Sequence, residues 1–597
     1  MPTIDVSLSD LCSLAGADMT VDEIDHRLEM VKGELKRGES DEELRVELQD
    51  TNRPDLWCIE GIARQIRFRL EETRAWRDDY GFFERHAALA GRIEVHPSVA
   101  PVRPYVAGFV ARGWTVDDAG LRAFIQAQET LCRNYGRKRS TIAIGIYDGS
   151  SLEFPVAYRA VPVDDRESAF VPLPPAGELP GDVPATRWNE PWTPAEILRD
   201  HPTGREYRSA LPGDQAPMLV DARGEVLSFP PIINSASLGR VVEGMDELFV
   251  EVTGATLDQV LLATNILAAN MRDRGAEILP VATHYPFETA RGREVIAPHP
   301  LSEKRVLALP LERFQALLGE PDLVEEEVTA ALRAYGLDVR SESEHLRVEA
   351  PPYRADYLHE VDAVEDFAIS RGYDSFAAKM PEEFTVGRLL PGTALVDRAR
   401  DRMIGYGFEE AISNILTSPR LVRDAVNLGG GFDGIPGLHG GRLVRIANVM
   451  NENYACVRDW VVPSLLEVET HSVGAVYPHR IFEAGEVAVV DDAAPLRSRT
   501  EQRVGALIAH EKASFTEAQA YLNLLLRHLG VSSVDLEAVE HPSFLPGRVA
   551  VVRVPGSSVP VGLVGEIHPE VLAGEHGFGI RVPCAAFELS LIPPADG

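Results

Sequence analysis

Lysine is almost missing from this sequence. Only six of the 59 basic residues are lysines (Lys32, Lys36, Lys138, Lys304, Lys379 and Lys512), which leaves 53 arginines against 92 Asp+Glu and a formal net charge of -33. A generic cationic nucleic-acid binder is excluded, because its electrostatic footprint is a basic excess. Excess carboxylate with little lysine is what a proteome kept soluble at high salt shows, so the acidity reads first as a habitat signal. Cysteine is also sparse. Cys12, Cys58, Cys132, Cys456 and Cys584 are scattered with no C-x-x-C pair, which gives neither a disulfide framework nor a thiolate zinc site. No stretch approaches the roughly 20 apolar residues that span a bilayer; the best run, VLLATNILAANM, is interrupted by Asn265 and Asn270. The N-terminus, MPTIDVSLSDLCSLAGAD, lacks a basic region followed by an apolar one. A soluble cytoplasmic protein with no membrane partner is expected. G-x-S-x-G, Walker A and H-E-x-x-H are absent, so no nucleophile–base pair, phosphate loop or zinc-protease helix is announced.

What is present fills several domains. At 597 residues and 65.5 kDa the chain is too long for one core, and 45% apolar with 25% charged residues is globular. Residues 1–85 read as a short strand and helices around the polar hinge DTNRPDL (50–56), with Pro54 in the first turn of the helix that follows. Residues 86–275 alternate strands (RPYVAGFVARGW, TIAIGIYDG, EVLSFPPIIN, LFVEVTG) with two long helices, around a Pro-rich acidic excursion at 162–191. Residues 298–381 read as strand, helix, helix, strand, helix, suiting a small winged-helix-like α/β domain. Residues 384–597 open with a helix and continue in β-runs, predicting an α+β domain on a large, mostly antiparallel sheet. The glycine-rich loop at 428–441 lacks G-x-G-x-x-G spacing and is given no dinucleotide role.

Four clusters could carry chemistry. RADYLHEVDAVED (354–366) holds five carboxylates in the 11 residues from Asp356, where the chain's average gives about 1.7. Asp362, Glu365 and Asp366 stand at i, i+3 and i+4 on one helix face, within reach of Asp356 from the incoming strand. All-oxygen ligands suit Mg²⁺ rather than zinc; carboxylates are equally favoured at a helix N-terminus for its dipole, and spacing alone favours that solvated reading. SFPPIINS (228–235) is stiff, and Asn234 and Ser235 either line a pocket or cap a turn. NYGRKRS (134–140), the densest basic run, either holds RNA phosphates or pairs with the protein's own carboxylates; the negative surroundings favour self-pairing. In NVMNENYACVRDWVVPSLLE (448–467), Glu452 and Arg458 either orient an anion or tie a loop to a helix that begins near Asp459.

Read in order, these pieces resemble the β subunit of phenylalanyl-tRNA synthetase of the archaeal and eukaryotic type, over essentially the whole chain. DTNRPDLWCIEGIAR is similar to that family's N-terminal signature. RKRSTIAIGIYD, HPTGREY, EVLSFPPIINS and LFVEVTGA look like its editing domain. PPYRADYLHEVDAVEDFAISRGYD looks like its metal-carrying domain, and NENYACVRDWVVPSLLE, FEAGEV and GLVGEIHPEVL like its catalytic-like domain. With the charge balance, a halophilic archaeon is the expected source.

The resemblance implies an α+β multidomain chain: an N-terminal α/β domain, a tRNA-editing domain at 86–275, a small magnesium-carrying α/β domain at 298–381, and a degenerate class II synthetase-like antiparallel sheet at 384–597. It implies Mg²⁺ on Asp356, Asp362, Glu365 and Asp366. It also implies a pocket that hydrolyses tRNA mischarged with tyrosine, lined by Leu219, Ser228, Asn234, Glu251 and Thr253. Glu251 is a departure, since Asp is expected there as often. A site built around a hydroxyl rejects the analogue that lacks it, because buried polar groups lose their partner. Only GFGIR (577–581) resembles a class II ATP element, so phenylalanine and ATP are expected on a separate α subunit, in a heterotetramer of two α and two β chains acting on tRNA(Phe). Glu452 and Arg458 are then structural or interfacial. The alternatives are a free-standing hydrolase of mischarged tRNA and a non-catalytic, magnesium-stabilised scaffold.

Overall fold

The computed structural model describes residues 2–37, 42–49, 52–71, 75–85, 88–175, 183–301, 306–381, 383–429, 434–435, 438–440, 442–472, 474–555 and 560–591. Asp50 and Thr51 of the hinge, part of the Pro-rich excursion and much of the glycine-rich loop lie outside them. The chain divides into two compact units, Met1–Lys379 and Met380–Gly597.

The first unit begins with an antiparallel three-stranded sheet in the order Thr3–Ser7, Glu43–Leu48, Gly33–Arg37. The hinge becomes a short 3₁₀ turn, Pro54–Leu56, and only then does the helix Ile59–Leu70 start. That helix is buried on nearly every side, and it carries Arg64, whose guanidinium bonds Asp273 (2.8 Å) and Asn270 (2.6 Å). One apolar core runs from Ile4 to Tyr353, so residues 1–85 share their interior with the segment that follows. The helix Leu257–Asp273 explains its own asparagines. Asn265 is fully buried and donates to the carbonyls of His299 and Pro352, satisfying groups that would otherwise cost free energy inside the core.

A ten-stranded sheet follows. Glu247–Gly254 lies antiparallel between Tyr105–Arg112 and Ile142–Asp148, and the far end is formed by Gln215–Val220, Val226–Phe229 and Ile233–Asn234. The sheet includes Glu277–His284 and Glu294–Ala297, so it continues past residue 275. Twist rolls it until Tyr147, on the last strand at one end, reaches Ser228 near the other. The small domain that follows has three antiparallel strands rather than two: Asp338–Glu342 and His345–Glu349 form a hairpin, with Val306–Leu309 on its other side. The missed strand, DVRSE, is too short and polar to show a period.

The second unit carries a seven-stranded sheet in the order Glu409–Glu410, His479–Val490, Ser498–Ala509, Cys584–Ser590, Gly562–Ile567, Phe544–Arg553, Asp535–Ala538. All pairings are antiparallel except the first. The helices Pro391–Gly405 and Phe515–His528 cover one face and Val462–His471 the other. Of the expected run RLVRIANV only Val444–Arg445 pairs as strand. No helix among the described residues is long and apolar enough to cross a membrane.

Candidate functional site

The rolled sheet of the first unit encloses a cavity of about 330 Å³, at the small end of ligand pockets, about 300–1,000 Å³. Its walls are mostly apolar, with Phe124, Ile144, Ile146, Pro230 and Ile232, and its few polar groups include Ser228, Asn234 and Glu251. Three of the five expected pocket residues therefore meet in one place. Leu219 and Thr253 are fully buried but do not line the cavity. Leu219 pairs with Ser228 one strand behind it, and Thr253 accepts a hydrogen bond from Arg103 Nε at 2.9 Å.

Two residues that sequence reading passed over organise the site. Tyr147 Oη lies 2.8 Å from Ser228 Oγ and 2.9 Å from Glu251 Oε1, joining strands 81 and 104 residues away. Its ring stacks on Phe249 at 5.9 Å. Gly145 sits beside Glu251 in the sheet, where a Cβ would fall 2.0 Å from the Tyr147 hydroxyl and 2.5 Å from Glu251 Oε1. Only glycine leaves room for that pair. Nothing in TIAIGIYDG reveals this, because the pairing register with residues 247–254 is not readable from the strand alone.

Glu251 is 2% exposed, and burial raises its carboxyl to about 8, against the smaller opposing pulls of the Tyr147 hydrogen bond and Arg103. At neutral pH it is mostly protonated. One oxygen serves Tyr147; the other, Oε2, is buried without a hydrogen-bond partner among the described residues. A neutral carboxyl with one free oxygen on a cavity wall can donate to, or accept from, a ligand hydroxyl, and that hydroxyl would relieve a penalty of about 1–3 kcal/mol. Asn234, half-buried on the same wall, offers an amide.

NYGRKRS borders this cavity. Arg137, Lys138 and Arg139 are consecutive left-handed residues (φ 46°, 54° and 64°), each costing about 1–2 kcal/mol. The arrangement persists because the amides of Gly136, Lys138 and Arg139 cap the last carbonyls of the helix Asp118–Arg133. Arg139 then turns inward, lines the cavity, donates to the carbonyls of Pro231 and Ile232 and lies 4.0 Å over the Tyr207 ring. Arg137 and Lys138 stay exposed. The expected pairing with carboxylates is not found among the described residues.

The acidic cluster is arranged differently from its spacing. Asp362, Glu365 and Asp366 do lie on the helix Glu360–Arg371. Asp362 folds back to cap its own helix, accepting from the amides of Leu358 and His359 at 2.6 Å each. Glu365, half-exposed, pairs with Lys32 at 2.6 Å. Asp356 and Asp366 turn inward onto Arg354, at 2.5 and 2.8 Å, and Tyr357 donates to Asp366 at 2.7 Å. Burial raises Asp366; at Asp356 burial is outweighed by Arg354 and Arg53 together, which lower it. The described residues contain no group of three His, Cys, Asp or Glu side chains placed to hold a metal ion. As arranged, the four carboxylates have the donor chemistry of a magnesium site without its convergence, and no step is routed through an ion. Arg53 of the hinge also faces this cluster and is paired with Asp55 at 2.8 Å.

In the second unit Arg458 is fully buried and bonds Glu483 Oε1 (2.7 Å), Ser413 Oγ (2.7 Å) and the Glu486 carbonyl (3.0 Å). It is a structural cation, whereas Glu452 is exposed. The helix with Pro463 in its first turn starts at Val462.

Family models describe two regions. Residues 307–373 match the tRNA synthetase B5 domain, and residues 377–591 match the phenylalanyl-tRNA synthetase β chain CLM domain. Similar full-length proteins include the phenylalanine–tRNA ligase β subunits of Treponema pallidum (38% identical, 92% of this chain, 86% of the relative), Borrelia hermsii (34%, 99% of each) and Thermococcus kodakarensis (33%, 99% of each). Among solved structures, an N-terminal fragment of the Pyrococcus horikoshii phenylalanyl-tRNA synthetase β subunit aligns over all of its length and 62% of this chain, with 30% identity and TM-score 0.55.

Proposed function

Because the chain belongs to the phenylalanine–tRNA ligase β-subunit family, we propose that it is the editing and assembly partner of that ligase, clearing tyrosine from mischarged tRNA(Phe) in the cavity at Glu251. The observation that carries this is the neutral, half-partnered carboxyl in an otherwise apolar pocket. Tyrosine's phenol completes the hydrogen bonding of Glu251 Oε2, and phenylalanine leaves it unpaired. Ser228 and Tyr147 hold the carboxyl in place. With no side-chain nucleophile assigned, the ester is cleaved by a water oriented beside Asn234.

Phenylalanine activation and ATP are assigned to an α subunit, in a tetramer of two α and two β chains acting in the cytoplasm. GFGIR follows the short helix Pro569–Ala573 as an irregular segment. Exposed Ile412, Met450, Tyr454 and Val476 support a partner surface on the second unit. Magnesium at Asp356, Asp362, Glu365 and Asp366 is proposed on the family resemblance. It requires Glu365 to exchange Lys32, and Asp362 its two amides, for the ion. A halophilic origin is proposed from composition alone.

The test is deacylation of Tyr-tRNA(Phe) by the αβ complex carrying Asn234→Ala. Slowed hydrolysis with unchanged phenylalanylation is expected; unchanged hydrolysis removes Asn234 from the site. Failure of the chain to associate with an α subunit at native salt would favour the free-standing hydrolase.

A further inference from the structure

Six arginines are buried among the described residues, and Arg103 differs from the other five. Arg53, Arg64, Arg354, Arg458 and Arg503 each pair with a carboxylate. Arg103, 3% exposed, has only neutral oxygens as partners among the described residues. Its Nε donates to Thr253 Oγ1 (2.9 Å), Nη2 to the Thr253 carbonyl (2.8 Å), and Nη1 to the carbonyls of Arg139 and Ser140 (3.2 and 3.3 Å). Its own carbonyl accepts from Tyr158 Oη at 2.8 Å, on the strand Val156–Pro162. A cation taken out of water without a counter-ion is costly, so its place calls for a reason beyond packing.

The bonds join two parts of the cavity wall. Thr253 stands two residues from Glu251 on the same face of the strand Glu247–Gly254, and Arg139 lines the cavity from its loop. Arg103 lies behind that wall, where a low-dielectric interior carries its charge to Glu251. Burial raises the Glu251 carboxyl, and Tyr147 and Arg103 pull against the rise. The other groups facing Glu251 are Tyr147, Tyr158 and Cys132, each raised by burial and uncharged near neutrality, and the lining cations Arg139 and Arg240.

We propose that Arg103 is a positioning residue of the Glu251 cavity: its fork ties the strand of Glu251 to the loop of Arg139, and its charge limits how firmly Glu251 keeps its proton. The consequence for hydrolysis rests on the editing reading of that cavity.

The experiment places Arg103→Lys and Arg103→Gln in the αβ complex. Lysine keeps the charge and loses the fork; glutamine loses the charge and keeps an amide donor. Hydrogen exchange in the strand Glu247–Gly254, followed from pH 6 to about 9.5 and corrected for intrinsic rates, reads the pH at which Glu251 ionises in the fold. That midpoint is expected to rise by about one pH unit in Arg103→Gln and to stay at its wild-type value in Arg103→Lys. Hydrolysis of Tyr-tRNA(Phe) at pH 7 is expected to slow roughly tenfold in both, since each loses charge-assisted hydrogen bonds to the wall. Slowed hydrolysis with an unmoved midpoint in Arg103→Gln would show a merely structural arginine and overturn the proposal, as would wild-type hydrolysis in Arg103→Lys. Should Arg103→Gln not fold, Arg103→Lys decides by the same rate criterion. A complex that never hydrolyses Tyr-tRNA(Phe) ends the editing reading, while the exchange midpoint still decides the role of Arg103.

Discussion

Glu251→Gln keeps the shape of the side chain and removes its titration, which makes the buried carboxyl's contribution measurable. In the fold Glu251 holds its proton up to about pH 8, whereas an exposed glutamate releases it near 4.5. Between those values the unfolded chain ionises and the folded one does not. The stability tied to this group is therefore fully present below pH 4.5 and is lost as pH rises through about 8. At about 1.4 kcal/mol per tenfold change in proton concentration, the loss across that window is roughly 5 kcal/mol, an upper figure for one site. Hydrogen exchange of amides in the strand Glu247–Gly254, compared at pH 5.5, 7 and 8.5 after correction for intrinsic rates, reads the local opening free energy. It does not require the two units to unfold together. The wild-type strand is expected to open progressively more easily across this series, and the glutamine variant to show little of that trend. Glutamine still accepts from Tyr147 and still offers a donor, so hydrolysis at pH 7 should survive the substitution. Identical pH dependence in the two proteins would refute the burial argument, because the carboxyl would then be ionised in the fold or too weakly linked to matter.

Three further outcomes follow from the same geometry. Gly145→Ala forces a Cβ into the Tyr147–Glu251 pair and should cost about 1–3 kcal/mol in denaturant unfolding of the first unit while erasing most discrimination against tyrosine. Arg354→Met strands Asp356 and Asp366, both buried, without their cation. A loss of about 3–5 kcal/mol is expected in urea titrations, and a loss below 1 kcal/mol would show the pair to be solvated. If magnesium binds the acidic cluster, adding Mg²⁺ to chelator-treated protein should raise Tm more in Lys32→Ala than in wild type, since Glu365 is already released; equal shifts would place the ion elsewhere.

Much of the fold was legible because it rests on period and length. The strand Glu247–Gly254 and the helix Leu257–Asp273 follow from the apolar run LFVEVTG and the long amphipathic stretch after it. The acidic cluster was legible only as composition. Its i, i+3, i+4 spacing put three carboxylates on one side of a helix, yet that side spans a boundary. Asp366 faces the interior and Arg354, Glu365 faces outward to Lys32, and Asp362 caps the first turn. Spacing gives direction about the helix axis, but burial and partners come from what packs against it. The pocket was legible through family resemblance at Ser228, Asn234 and Glu251. Tyr147 and Gly145 were not, because a contact across 104 residues depends on strand register and sheet curvature. For Arg137 and Lys138, net charge misled: a strongly negative chain suggested self-pairing, whereas both residues are exposed with no carboxylate partner among the described residues.

The most direct test of the proposed editing pocket compares deacylation of Tyr-tRNA(Phe) and Phe-tRNA(Phe) by the wild-type αβ complex under single-turnover conditions. One buried hydrogen bond gained with the phenol and lost without it corresponds to about 5- to 150-fold. Faster loss of tyrosine than of phenylalanine within that range is expected. Equal rates, or no hydrolysis of either, would contradict the account.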